Sequence, residues 1–174
     1  MAGDGRTTNL GFEEVFRRHF DYVWRVAHAV AGPGAADDVT QEAFLVVRRR
    51  LDEFDGGSLR AWLFTVVRNV ARNYLRSQRR REARLRAVPE PAPARDPDDE
   101  VALRQAADLL DQFMDSLPAR QREAFVAVEL EGLTARAVAE ALGVPTRTVY
   151  SRVRTAREAF ARFTADQRAM EAAS

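Results

Sequence analysis

"LTARAVAEALGVPTRTVYSRVRTAREAF", residues 133–160, is the stretch that decides the fold. Thr134 suits the N-cap of a short helix, 135–142, whose small residues Ala137, Val138 and Ala141 face inward. Gly143 permits a sharp turn and Pro145 keeps the first helix from continuing. Val149, Val153, Ala156 and Phe160 follow at steps of four, three and four, the inner face of a second helix beginning near 147 and running to about 163. The layout is a helix-turn-helix. It leaves Arg147, Thr148, Tyr150, Ser151, Arg154 and Thr155 facing solvent near the start of the second helix, the end that reaches base edges when such a helix enters a major groove. Arg152 and Arg157 flank that surface and suit phosphate contacts, which fix register without reading sequence. The competing reading is a plain helical hairpin with a solvated arginine face. The turn, the buried spacing and the arginine excess together favour DNA.

The rest of the chain is also helical in pattern. Phe12, Val15/Phe16, Phe20, Val23/Trp24, Val26/Ala27 and Val30 recur with a helical period until "AGPG" at 31–34 breaks it. Asp37 or Asp38 can cap the next helix, 37–54, with Val39, Ala43, Val46/Val47 and Leu51 as its buried stripe. After "DGG" at 55–57, Ser58 is suited to cap a long helix with Leu59, Trp62/Leu63, Val66, Val70 and Tyr74 on one side. Residues 87–97, "AVPEPAPARDP", hold four prolines and read as a linker. A new helix is expected to start at Asp96 and Pro97, with Asp98, Asp99 and Glu100 in its first turn. "SLP" at 116–118 opens another, ended by Gly132. No strand-like alternation occurs. The expected fold is all-α: two small helical domains, 10–86 and 98–165, joined by a Pro-rich linker, 87–97, the second a four-helix domain with the helix-turn-helix.

The formal net charge of +1 conceals segregation. Residues 58–86 carry nine arginines against one acid, whereas residues 87–131 carry eleven acids against four arginines. Two basic blocks separated by an acidic one imply two anion-facing surfaces. On the helix after Ser58, Asn69, Arg72, Asn73 and Arg76 share a face, being three or four residues apart. The arginines offer sequence-blind attraction to phosphate. Asparagine adds a donor and an acceptor that can read a base edge. In this division the arginines supply affinity and the asparagines supply choice.

The chain has no cysteine, which excludes disulfides and thiolate metal sites and fits a cytoplasmic location. His19 and His28 lie nine apart, which is not a metal-ligand spacing on one helix. No run reaches the ~18 apolar residues of a membrane span, and no membrane insertion is expected. There is no Gly-rich phosphate loop, no "HExxH" and no Ser or Cys nucleophile motif. Neither catalytic residues nor a cofactor is therefore expected.

Taken together, "DDVTQEAFLVVRRRLDEFDG", "SLRAWLFTVVRNVARNYLRSQRRR" and "LPARQREAF" followed by "EGLTARAVAEALGVPTRTVYSRVRTARE" resemble the extracytoplasmic-function group of bacterial sigma factors, over about residues 10–163. The resemblance implies a protein that binds core RNA polymerase and directs it to promoters. It implies docking of helix 37–54 on the clamp helices of the largest subunit through Asp38, Gln41, Glu42, Phe44, Leu45 and Arg48. Phe44 and Leu45 fall partly off the buried stripe, so an apolar patch is expected there. It further implies contact with the flap of the second-largest subunit, an anti-sigma factor as partner, and a nucleoid-associated location in the cytoplasm. The −10 element would be read by the first domain. Loop 54–60, "FDGGSLR", with Ser58 and Arg60, resembles the segment that holds a flipped-out base, and Asn69 and Asn73 match positions that read its neighbours. Arg72, Arg76, Arg79 and Arg80 would hold backbone phosphates. The second domain would read the −35 element as duplex. Tyr150 and Thr155 stand where the family often has basic residues, and Asn73 where it often has aspartate, so the target sequence does not transfer from relatives. A helix-turn-helix repressor acting alone would explain the second domain but leave the 37–54 patch and the asparagine face without a purpose.

Overall fold

The computed structural model describes residues 11–84 and 101–172. The polar start 1–9, the linker 87–97 and the cap at 96–100 lie outside the described residues. Seven helices are described: α1 (Phe12–Ala31), α2 (Ala36–Arg50), α3 (Leu59–Arg84), α4 (Val101–Ser116), α5 (Ala119–Phe125, continued by a π-helical turn Val126–Leu130), α6 (Ala135–Leu142) and α7 (Thr146–Ala172). No strand occurs among the described residues. α7 runs beyond the expected end at 163, to Ala172.

α1, α2 and α3 pack on one another around Val23, Val26, Ala27, Val39, Val47, Leu63, Phe64 and Val67, all essentially inaccessible. Burial of such a set is the main favourable term of a small helical unit. Tyr22 joins this core, although the periodicity had not marked it, and its hydroxyl donates to the Arg60 carbonyl at 2.7 Å. Phe16 and Phe20, expected inside, are about two-fifths exposed instead. Asp37 and Asp38 do not cap α2, because their carboxylates are engaged across the fold. Asp37 accepts from the Trp24 indole at 2.8 Å and Asp38 from the Tyr74 hydroxyl at 3.1 Å. Ser58 does cap α3, its Oγ accepting from the Ala61 amide at 3.3 Å.

In the second group, Phe113 is fully buried among Phe125, Phe160 and Phe163 at centroid distances of 5.4, 5.0 and 5.6 Å, which ties α4 to α5 and α7. The helix-turn-helix forms as its residues dictate. Thr134 Oγ1 accepts from the Ala137 amide at 3.1 Å. Gly143 sits at φ +63°, where its amide donates to Glu140 and the Val144 amide donates to the Ala139 carbonyl. That paired closure requires a left-handed residue, which glycine adopts without steric cost. Val149, Val153 and Ala156 are buried as expected. Thr134→Ala is expected to cost about 1 kcal/mol, the usual worth of an N-cap, read as a lower urea midpoint with unchanged slope.

The two groups touch. α1 meets α5 and its π turn, α3 meets α6, and buried apolar side chains run from one group into the other. Ala137 and Ala141, expected inside the second domain, are half-buried and face the first group instead, lining a cavity with Trp62 and Thr65.

Candidate nucleic-acid interface

α3 is 26 residues long, more than its own packing requires. Its inner side ends at Ala71, Tyr74 and Leu75, and beyond them arginine takes over. Asn69, Arg72, Asn73, Arg76, Arg79 and Arg80 are all exposed. Asn69 Oδ1 accepts from Arg68 Nη1 at 3.3 Å on an exposed side chain. Loop 54–58 leads into this helix. Phe54 and Trp62 pack at 5.8 Å between centroids, Asp55 Oδ1 accepts from the Gly57 amide at 3.3 Å, and Ser58 and Arg60 are exposed. Trp62 is half-buried and faces a cavity of about 320 Å³ shared with Phe54, Ser58, Thr65, Ala137 and Ala141.

The start of α7 presents a second polar face. Arg147, Tyr150, Ser151 and Arg154 are exposed, while Thr148, Arg152 and Thr155 are partly covered. The Thr155 hydroxyl donates to the Ser151 carbonyl at 3.1 Å, so it is half occupied by its own helix. Arg154 pairs with Glu158 at 3.4 Å and Arg157 with Glu129 at 2.8 Å. Exposed pairs of this kind are worth little, and a phosphate can displace the carboxylate.

The expected apolar patch on α2 exists with a different composition. Phe44 is buried, so it is not an open contact. It forms the floor of a groove of about 430 Å³ whose walls are Phe12, Phe16, Phe20, Trp24 and Leu45. Phe16 lies 4.7 Å from Phe44, and Phe20 stacks on it nearly parallel at 6.1 Å. Four rings on two helices exceed what one face can bury, which is why the α1 phenylalanines stay half outside. Leu45 is 42% exposed, and Gln41, Glu42 and Arg48 line or flank the groove. Thr40 Oγ1 is buried beneath it without a hydrogen-bond partner.

Residues that the sequence had not singled out complete the picture. Glu131, 5% exposed, accepts from Arg25 at 3.1 Å and from Arg60 at 3.0 Å. Glu123, 2% exposed, accepts from Arg68 Nε at 2.6 Å and lies 3.8 Å from Arg72. The Glu131 hydrogen bond raises the Arg25 pKa above its ordinary value, so that guanidinium is firmly charged. The signal available in sequence was an acid set among apolar neighbours in "EAFVAVELEG", 123–132, where a buried carboxylate needs a cationic partner. Among the described residues no cluster of three or more His, Cys, Asp or Glu could hold a metal ion, and no helix is long and apolar enough to cross a membrane.

The family model of Sigma-70 region 2 matches residues 15–81, and that of Sigma-70 region 4 matches residues 107–160. The chain is 35% identical over 154 residues to the ECF RNA polymerase sigma factor SigE of Mycolicibacterium smegmatis, a match covering 84% of this chain and 59% of that protein. The chain thus spans about three-fifths of that relative's length. It is 33% identical over 140 residues to the ECF RNA polymerase sigma factor SigC of Mycobacterium tuberculosis, covering 79% of this chain and 74% of SigC. In three dimensions it is similar to the sigma factor RpoE of Bartonella quintana, solved in complex with the anti-sigma factor NepR. That likeness has a TM-score of 0.75 at 24% identity and covers 88% of this chain and 96% of RpoE.

Proposed function

The chain belongs to the ECF RNA polymerase sigma factors, the factors of promoter-specific transcription initiation, and we propose a division of labour among its surfaces. The aromatic groove of α1 and α2 docks on the clamp helices of the polymerase's largest subunit. Leu45 enters the contact there, with Gln41, Glu42 and Arg48 at the rim. Phe44 shapes the groove from below, and Asp38 holds α3 through Tyr74. The first domain, 10–86, reads the −10 element. Asn69 and Asn73 contact bases, loop 54–60 with Ser58 and Arg60 receives an extruded one, and Arg72, Arg76, Arg79 and Arg80 bind phosphates. Extruding a base costs a few kcal/mol, which AT-rich duplex lowers and trapping repays without ATP. The second domain, 98–165, reads the −35 duplex with Arg147, Thr148, Tyr150, Ser151 and Arg154. Arg152, Thr155 and Arg157 hold its backbone, and the same domain meets the flap of the second-largest subunit. An anti-sigma factor is a partner, in keeping with the likeness to RpoE bound to NepR. We place the protein in the cytoplasm at the nucleoid and assign it no catalytic step.

The observation that carries this reading over a DNA-binding protein acting alone is the open aromatic groove with Leu45 exposed beside it. A contiguous apolar recess of that size calls for a protein partner. Run-off transcription with core polymerase on a randomised promoter library tests it. Enrichment of one two-part motif with defined start sites is expected, and absence of selection above core enzyme alone overturns it.

The two residue types on α3 should separate in experiment. Asn69→Ala and Asn73→Ala are each expected to lose about 1–3 kcal/mol of discrimination at one base position. Arg79→Gln and Arg80→Gln should weaken all sequences alike and each flatten the salt dependence by roughly one unit of slope. Competition binding of single-base variants across a salt series reads both.

A further inference from the structure

Tyr22 of α1 touches Arg60 of α3 in two ways. Its hydroxyl donates to the Arg60 carbonyl at 2.7 Å, and its ring lies under the Arg60 guanidinium, 4.6 Å from Cζ to the centroid. The tyrosine is 4% exposed, whereas the Arg60 side chain is 44% exposed. A fixed ring thus underlies a guanidinium that still faces solvent. Burial pushes the Tyr22 hydroxyl above its ordinary pKa, so it remains a donor throughout the neutral range. His19 packs edge-on against the tyrosine at 6.4 Å. Burial, and then the Arg60 charge, hold the His19 pKa below its ordinary value, and a neutral imidazole there leaves Arg60 unrepelled. A buried tyrosine needs a partner only for its hydroxyl. The stacking is an additional contact, made to a side chain at the end of loop 54–60. An arginine stacked on a ring commits the face of its guanidinium and keeps its in-plane N–H groups for other partners. One of them, Nη2, meets Glu131 of the second group at 3.0 Å, with the same charge-assisted chemistry that a phosphate oxygen offers. Tyr22, by contrast, belongs with Arg60 to the first domain. Ser58 caps the turn that carries Arg60, so the start of α3 is fixed from the loop by Ser58 and from the core by Tyr22.

We propose that Tyr22 is a positioning residue for the −10 strand, holding Arg60 in the direction in which it meets the single strand. This role rests on the assignment of Arg60 to the −10 element made above. An arginine side chain has much rotamer freedom to lose on binding, and one already held in its bound direction loses less. The ring holds the guanidinium, and the hydroxyl seats the backbone from which that side chain springs. Tyr22 itself is buried and touches no nucleotide, so it acts through Arg60 alone.

A double-mutant cycle tests this in the complex with core polymerase. The parent, Tyr22→Phe, Tyr22→Leu, Arg60→Ala and the Tyr22→Leu, Arg60→Ala double variant are each assembled with core enzyme. Each complex is titrated by anisotropy against a fluorescein-labelled, single-stranded AT-rich 15-mer, with core enzyme alone as the baseline. Tyr22→Leu is expected to weaken binding of the oligonucleotide about fivefold, and Tyr22→Phe, which keeps the ring, to stay within about twofold of the parent. In the Arg60→Ala background the Tyr22→Leu loss should vanish, because the group it acts through is gone. A residue that only supports the core would cost the same in both backgrounds. That outcome overturns the role of Tyr22, as does an unchanged affinity for Tyr22→Leu in the parent. A matching fall in affinity for core polymerase overturns it too, since it would mark general damage to the first domain. Should Tyr22→Leu fail to fold, the NMR spectrum of the parent still decides. The Arg60 δ-methylene protons are expected upfield under the ring current of Tyr22, and the shifts of a free arginine overturn the hold. Arg60→Ala separates this from the functional reading. If that variant binds the oligonucleotide as the parent does, the assignment of Arg60 to DNA falls. If it binds more weakly and the Tyr22→Leu loss adds to it in full, only the positioning role falls.

Discussion

Leu45→Asp is expected to weaken the complex with core polymerase about a hundredfold or more while leaving the free protein as stable as before. The two halves of that result have different causes. In the free chain Leu45 is 42% exposed beside the aromatic groove, so a carboxylate there stays in water. Surface changes of that kind usually fall within about 0.5 kcal/mol. On docking, the same carboxylate is carried into an apolar recess lined by Phe12, Phe16, Phe20 and Phe44. Leaving one charge buried and unpaired costs about 3–5 kcal/mol, and every 1.4 kcal/mol is a tenfold change in Kd. Arg48, which lines the groove, stands over Phe12 with its guanidinium 6.0 Å from the ring centroid, and reaching position 45 would surrender that contact. Binding of labelled protein to core enzyme, with a thermal melt of the free chain, measures both quantities. A Kd within threefold of the parent would remove the groove from the polymerase contact. Phe44→Asp would not serve, because Phe44 is 4% exposed and its loss would unfold the domain that carries the groove.

The helices and the turn were legible because their causes are local. A stripe at steps of three and four, a threonine at 134, a glycine at 143 and a proline at 145 each act within a few residues. What the pattern misplaced depends on contacts between distant segments. Phe16 and Phe20 carry the same period as Val23 and Val26, and only the position of Phe44 on another helix decides that their rings line a groove. Asp37 and Asp38 have the chemistry of caps, yet Trp24 and Tyr74 claim them from α1 and α3. Tyr22 is buried because the Arg60 carbonyl, 38 positions away, accepts its hydroxyl. The candidate base-reading residues Asn69 and Asn73, and Arg147 through Arg154, stood out by residue type on one helix face. The arginine pairs with Glu123 and Glu131 did not: apolar neighbours in 123–132 hint that these acids are buried, but which guanidinium meets each carboxylate depends on segments distant in sequence.

Phe113→Ala is the second change with a large expected effect, and it bears on whether the two domains are separate folding units. Phe113 is fully buried, and the rings of Phe125, Phe160 and Phe163 close around it. Truncating a buried phenylalanine costs about 3–5 kcal/mol through lost transfer energy and the void left behind. A unit of roughly 70 residues commands only about 4–10 kcal/mol in all, so the second domain should be near its threshold. The first domain keeps its own core around Val23, Leu63 and Phe64, and both tryptophans belong to it. Trp62, however, faces α6 and would sense undocking, so the measurement belongs in a Trp62→Phe background, with Trp24 as the reporter. Urea titration should then show far-UV circular dichroism falling in an early step that Trp24 emission does not follow. Emission should change only in a later step at the parent's midpoint. Coincident transitions would mean that the apolar contacts running from α1 and α3 into α5 and α6 bind the chain into one cooperative unit.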